Sequence, residues 1–131
     1  EIHAAISLGH KIADTFSGAD AFNKKNQPVE YKSTTAKKCK GSYTGISVQP
    51  TWSDQEKYLR EEKIAKYPEH FYNRFDQGKL VESWIMAGDK VLEILKPKLK
   101  KKFPTILTKK DPRLSAEITW KEIQKYGKKV I

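Results

Sequence analysis

Cysteine is nearly absent from this chain. Among 131 residues there is one, Cys39, and there is one methionine. A lone cysteine excludes an internal disulfide and any cysteine-built zinc site, and it fits a reducing compartment. No apolar run approaches the ~18 residues that a membrane-spanning helix needs, and mean hydropathy is −0.73. No P-loop, dinucleotide-binding glycine pattern or serine nucleophile elbow occurs. No secretory signal is visible either, because His3, Gly9, His10 and Lys11 break the first apolar stretch. The expectation is an intracellular, cytoplasmic protein with no membrane partner. Acid is the minority charge: 16 Asp and Glu stand against 26 Lys and Arg, a net charge of +10.

What is present bounds the answer further. The length suits a single domain over residues 1–131, with room for a real core. Tryptophan, tyrosine and phenylalanine number 3, 6 and 5, too many for a disordered basic tail. A surplus of ten positive charges attracts a polyanion, either nucleic acid or an anionic surface.

Periodicity and punctuation divide the chain. Residues 1–14 read as a helix with Ala5, Leu8 and Ile12 on one stripe, stopped by Ser17 and Gly18. Residues 19–22 read as a short strand, 23–28 as a polar turn, 29–34 as the returning strand of a hairpin, and 42–49 as a third strand. Ser53 and Glu56 have capping-box spacing and open a charged helix to about residue 66, before Pro68. Residues 70–75 and 79–86 flank Asp76-Gln77-Gly78 as a second hairpin. Asp89 caps a helix with Val91, Leu92, Leu95 and Leu99 inward, which Pro97 should end or kink near residue 96. A strand at 115–118 precedes a second capping box, Thr119 with Glu122, and a helix stopping near Gly127. Trp84 and Trp120 fall at core positions. This order predicts an α/β (α+β) domain with a central mixed β-sheet flanked by helices.

The chemistry-bearing stretch lies in the first hairpin. Strand side chains alternate, so Glu30 and Lys32 share a face while Val29, Tyr31 and Ser33 share the other. If the strands pair, Asp20 reaches the Glu30 face. Two carboxylates and an ammonium then converge. Carboxylates suit Mg²⁺, which takes one or two of them together with waters and substrate phosphate oxygens. A lysine beside them can orient the attacking water and offset charge in the transition state. The bland alternative is an ordinary exposed Glu–Lys pair, worth less than ~1 kcal/mol.

This stretch resembles the PD-(D/E)xK nuclease superfamily, which includes most type II restriction endonucleases and several junction-resolving and repair nucleases. The resemblance rests on Asp20, Glu30 and Lys32. It extends to the order around them: a helix, a hairpin bearing the trio, a third strand and a helix, over roughly residues 1–66. Ala19 stands where the family usually has proline. The resemblance implies a restriction-endonuclease-like core and a Mg²⁺-dependent DNA endonuclease, with Mn²⁺ as a substitute. It implies Asp20 and Glu30 as metal ligands, Lys32 as the catalytic lysine and the Tyr31 carbonyl as a backbone ligand. Many members add a glutamate from the first helix. Glu1 is the candidate here, the alternative being a frayed terminal glutamate. A restriction-like homodimer cutting double-stranded DNA is the first reading. A junction-resolving or other structure-selective nuclease is the second, and a non-catalytic basic nucleic-acid-binding module is the third.

Phosphate contacts are expected from Lys24 and Lys25 in the hairpin turn and from Lys37, Lys38 and Lys40 after it. Ser33 and Thr34 add neutral contacts, and Tyr43 reaches bases or backbone. Lys96–Lys102 forms either a second basic strip or a solvated helix end. The remaining candidates read as structural. His3 and His10 are surface residues on one helix face, and Gln49, at the end of the third strand, either touches the site or is a solvated strand end. Gln55 and Tyr58 are helix surface, and His70 has no identifiable partner. Cys39 is an incidental thiol whose lysine neighbours should lower its pKa.

Overall fold

Two hairpins joined by a crossover build the main sheet. The computed structural model describes residues 2–12, 20–106 and 112–131. Helix α1 (Ile2–Leu8) leads into β1 (Lys11–Ile12), then β2 (Ala21–Phe22) and β3 (Pro28–Thr34). Next come β4 (Gly41–Ser47), α2 (Trp52–Tyr58) and a π-helical turn (Leu59–Lys63). The second hairpin is β5 (Glu69–Asp76) with β6 (Lys79–Ala87). Helix α3 (Gly88–Ile106), β7 (Arg113–Ile118), α4 (Trp120–Tyr126) and β8 (Lys128–Lys129) complete the chain. The six-stranded sheet has the order β1-β2-β3-β5-β6-β8. Among the described strands only β3 and β5 pair in parallel, so the sheet is mixed, as the order of the elements predicted.

Each face of this sheet buries a different set. Val29, Tyr31 and Phe71 pack with Ala4 and Ala5 of α1. On the opposite face Tyr72 and Met86 meet Val91, Leu95 and Leu99 of α3, together with Tyr43, Leu114 and Ile118. Strand alternation separates the two sets, because neighbouring residues point to opposite faces. Trp84 and Trp120 are half-buried against the larger core and meet edge to face at 5.5 Å.

Several local expectations hold and several are corrected. The Thr119–Glu122 capping box forms in both directions, and Gly127 caps the C-terminus of α4. The first helix stops at Leu8 instead of residue 14. Gly9 adopts φ +72° there, a left-handed conformation that ends helices. Ile12 therefore sits in a strand and is exposed. Helix α2 is capped by Thr51, whose Oγ1 accepts from Asp54 N, and not by Ser53. The expected third strand leaves the sheet: β4 pairs antiparallel with β7 in a separate two-stranded sheet. Pro97 does not end α3. Its ring faces solvent, while Val91, Leu95, Leu99 and Phe103 stay buried along the other side and hold the helix together.

Candidate active site

The hairpin turn fixes the register that brings the acids together. Asn23 Oδ1 accepts from the backbone of Lys25 and Gln27, each at 2.9 Å. Ala21 then lies opposite Val29, and Phe22 opposite Pro28. Asp20 stands just before β2 and is pinned to β3. Its backbone N–H donates to the Val29 carbonyl at 3.3 Å. Its Oδ2 accepts from Tyr31 N–H at 2.8 Å. Backbone pairing therefore positions this carboxylate, without relying on a flexible side chain.

Glu30 reaches the same point from β3, and its carboxyl shares a hydrogen bond with that of Asp20. Burial, this hydrogen bond and the Asp20 charge push the Glu30 pKa up to about 8, against the pull of Lys32 and Lys63. Buried beside a second carboxylate, Glu30 keeps its proton well above the usual carboxylate range. Lys32 shares the Glu30 face, with its Nζ 4.5 Å from the centre of the Tyr43 ring.

A buried polar chain supports that ring. In register across β3 and β5, Glu30 lies opposite His70 and Lys32 opposite Tyr72. Tyr43 Oη lies 2.8 Å from His70 Nδ1 and 2.9 Å from Tyr72 Oη. His70 Nε2 lies 2.8 Å from the Ile64 carbonyl. Burial lowers the His70 pKa to about 4, and the Lys32 charge lowers it further, so the ring is neutral at pH 7. Nε2–H donates to Ile64, leaving Nδ1 to accept from Tyr43, which in turn accepts from Tyr72. Tyr67 is also buried, and its phenol pKa is raised by burial and by the charges of Glu30 and Asp20.

The structure thus brings Asp20, Glu30 and Lys32 together on one face, next to a cavity of about 70 Å³ that Glu30, Lys32, Tyr43, Thr44 and Lys63 help to line. The Tyr31 backbone lies between them, while its side chain turns to the opposite face and bonds His10. Glu1 lies outside the described residues. Among the described residues no cluster of three or more His, Cys, Asp and Glu forms.

Other expectations are revised. Tyr43 is buried beneath Lys32 and hydrogen-bonded at its hydroxyl, so its ring supports the site from below. Lys24 and Lys25 are exposed, but they line a different cavity, of about 380 Å³, with His10 and Phe71 on the α1 side of the sheet. Ser33 is exposed on that side too. Thr34 Oγ1 accepts from Ala36 N–H at 3.1 Å. Lys37, Lys38 and Lys40 are exposed in the loop after β3. Cys39 is buried, and desolvation, helped by the Glu82 charge, raises its pKa to about 11 against the pull of Arg74 and Lys129. Gln55 is buried and ties α2 to the end of β4: it donates to the Ser47 carbonyl and accepts from Gln49 N–H. His3 bonds Leu80 N–H, and His10 lies beyond the helix, so the two share no helix face. Lys63 and Tyr67 were not singled out by the sequence, since no spacing rule links residues in the 60s to a hairpin ending at 34.

No family model matches the chain, and no curated protein matches it in sequence.

Proposed function

We propose that this protein is a Mg²⁺-dependent endodeoxyribonuclease with a restriction-endonuclease-like core, acting on double-stranded DNA as a homodimer. One observation carries the reading: the Asp20 and Glu30 carboxyls share a hydrogen bond, and Lys32 lies on the same strand face. Hard oxygen donors suit Mg²⁺ or Mn²⁺. A cation there would take the place of the proton that burial and the neighbouring Asp20 carboxyl keep on Glu30. Asp20 and Glu30 would hold the metal, with the Tyr31 carbonyl and Glu1 as further ligands implied by the family resemblance. When bound, such a cation lowers the pKa of water and screens phosphate charge.

The chain's own residues supply the rest. Tyr31 N–H and the Val29 carbonyl hold Asp20 in place. Lys32, held over Tyr43, orients the attacking water and stabilises the charge that builds on the phosphate. The water oxygen bonds to phosphorus as it gives up a proton to solvent, the bond to the leaving oxygen breaks, and that oxygen takes up a proton from solvent. The surplus of ten positive charges draws the polyanion in.

The test incubates the protein with supercoiled plasmid, branched DNA and single strands, in Mg²⁺ and in EDTA. Duplex cleavage is expected with Mg²⁺, none with EDTA, and none by Asp20→Ala or Lys32→Ala. Preference for the branched substrate would replace the restriction-like reading by a structure-selective one. Binding without cleavage in every condition would leave only a nucleic-acid-binding module.

A further inference from the structure

We infer that Lys63, carried on the π-helical turn, is a phosphate-binding residue of this site, and that with Thr44 it receives the non-bridging oxygens of the phosphodiester beside the acidic pair. This rests on the reading above and adds the surface that grips the substrate opposite the acids.

Three observations support it. Lys63 and Thr44 line the same cavity as Glu30 and Lys32. Its volume of about 70 Å³ holds only a few waters at about 10–15 Å³ each. A phosphate group fits an opening of that size. The placement of Lys63 is also built in. Ile64 N–H donates to the Leu59 carbonyl, five residues back, at 2.7 Å, which widens the last turn of the helix. The Ile64 side chain is buried and its carbonyl accepts from His70. The residue after Lys63 is thus anchored twice, which aims an otherwise exposed side chain toward the acids. π-Turns of this kind recur at functional sites. Finally, among the described residues Lys63 forms no ion pair, whereas Arg60 on the same turn is tied to Glu56. The Lys63 ammonium is left to face the cavity it shares with Glu30 and Lys32.

The test first measures binding of a fluorescent DNA duplex in EDTA, where no cutting occurs, between 50 and 200 mM salt. Wild type is compared with Lys63→Ala, Lys63→Arg and Lys121→Ala, the last removing one equal charge from exposed α4. One lost phosphate contact lowers the log–log salt slope by about one. Lys63→Ala is expected to show this drop, with several-fold weaker binding at low salt. Lys63→Arg should restore the slope, and Lys121→Ala should keep it. Cleavage in Mg²⁺ is then measured for the same set, with Lys63→Ala expected to be slowed at least tenfold. If wild type cuts DNA and Lys63→Ala matches it in slope and rate, the inference is overturned and the nuclease reading stands. If Lys63→Ala loses the slope but wild type never cuts, the phosphate site stands and the nuclease reading falls. No binding by wild type overturns both.

Discussion

Glu30→Gln is expected to lower Mg²⁺-dependent cleavage on the order of 10³-fold, and to make the protein more stable at pH 8. Glutamine keeps the volume and can still hydrogen-bond Asp20, but it carries no charge to a cation. The stability gain follows from linkage. The Glu30 pKa is 4.5 ordinarily and about 8 in the fold. Between those values the folded protein holds a proton that the unfolded chain has released, so this group's contribution is full below pH 4.5 and lost as pH rises to about 8. The slope is about 1.4 kcal/mol per pH unit. His70 works in the opposite sense: its pKa falls from 6.5 to about 4, so its contribution is lost as pH drops through that window. His10, also lowered by burial, adds a loss of the same sign. In wild type the Glu30 term offsets the His70 term between pH 4.5 and 6.5. Glu30→Gln removes the offset. Urea titrations should therefore show a flatter alkaline arm and a steeper acid arm in the variant. Mg²⁺ at pH 8 should raise the Tm of wild type only. Identical pH profiles, or wild-type cleavage by the variant, would refute the assignment of Glu30.

Gly88→Ala should cost about 3 kcal/mol or more, at the upper end for overpacking. Gly88 opens α3 against the segment just before β5. A Cβ there would stand 2.1 Å from the Tyr67 carbonyl oxygen and 3.1 Å from its carbon. Gly88 N–H also donates to the Pro68 carbonyl at 2.9 Å, so neither backbone can yield without breaking that bond. The strain reaches the site, because the same segment carries Tyr67 beside the acids and follows the Ile64 carbonyl that orders His70. The denaturant midpoint should fall with little change in m, and cleavage should fall with it. A midpoint within ~0.5 kcal/mol of wild type would mean that the contact relaxes freely.

Part of this site was legible because it is local. Period-two alternation put Glu30 and Lys32 on one face, and the turn residues announced the hairpin that returns Asp20 to them. The Thr119–Glu122 cap needed only four residues. The errors arose where distant packing overrode local preference. Pro97 breaks an isolated helix, but the buried stripe from Val91 to Phe103 carries α3 past it. The lysines around Cys39 suggested a lowered pKa, but burial raised it. Gln55 has the polar character of helix surface, yet it is buried between α2 and the end of β4.

The sequence by itself determined the mixed sheet, the +10 charge and the shared face of Glu30 and Lys32, because composition and strand alternation act within a few residues. The tertiary structure alone decided that Glu30 is buried beside the Asp20 carboxyl. It also decided that β4 leaves the sheet for β7 and sets Tyr43 beneath Lys32, and that a π-turn brings Lys63 to the same cavity. Each of these joins residues separated by at least ten positions. Their pairing depends on strand register and buried hydrogen bonds, which form only when the chain packs as a whole.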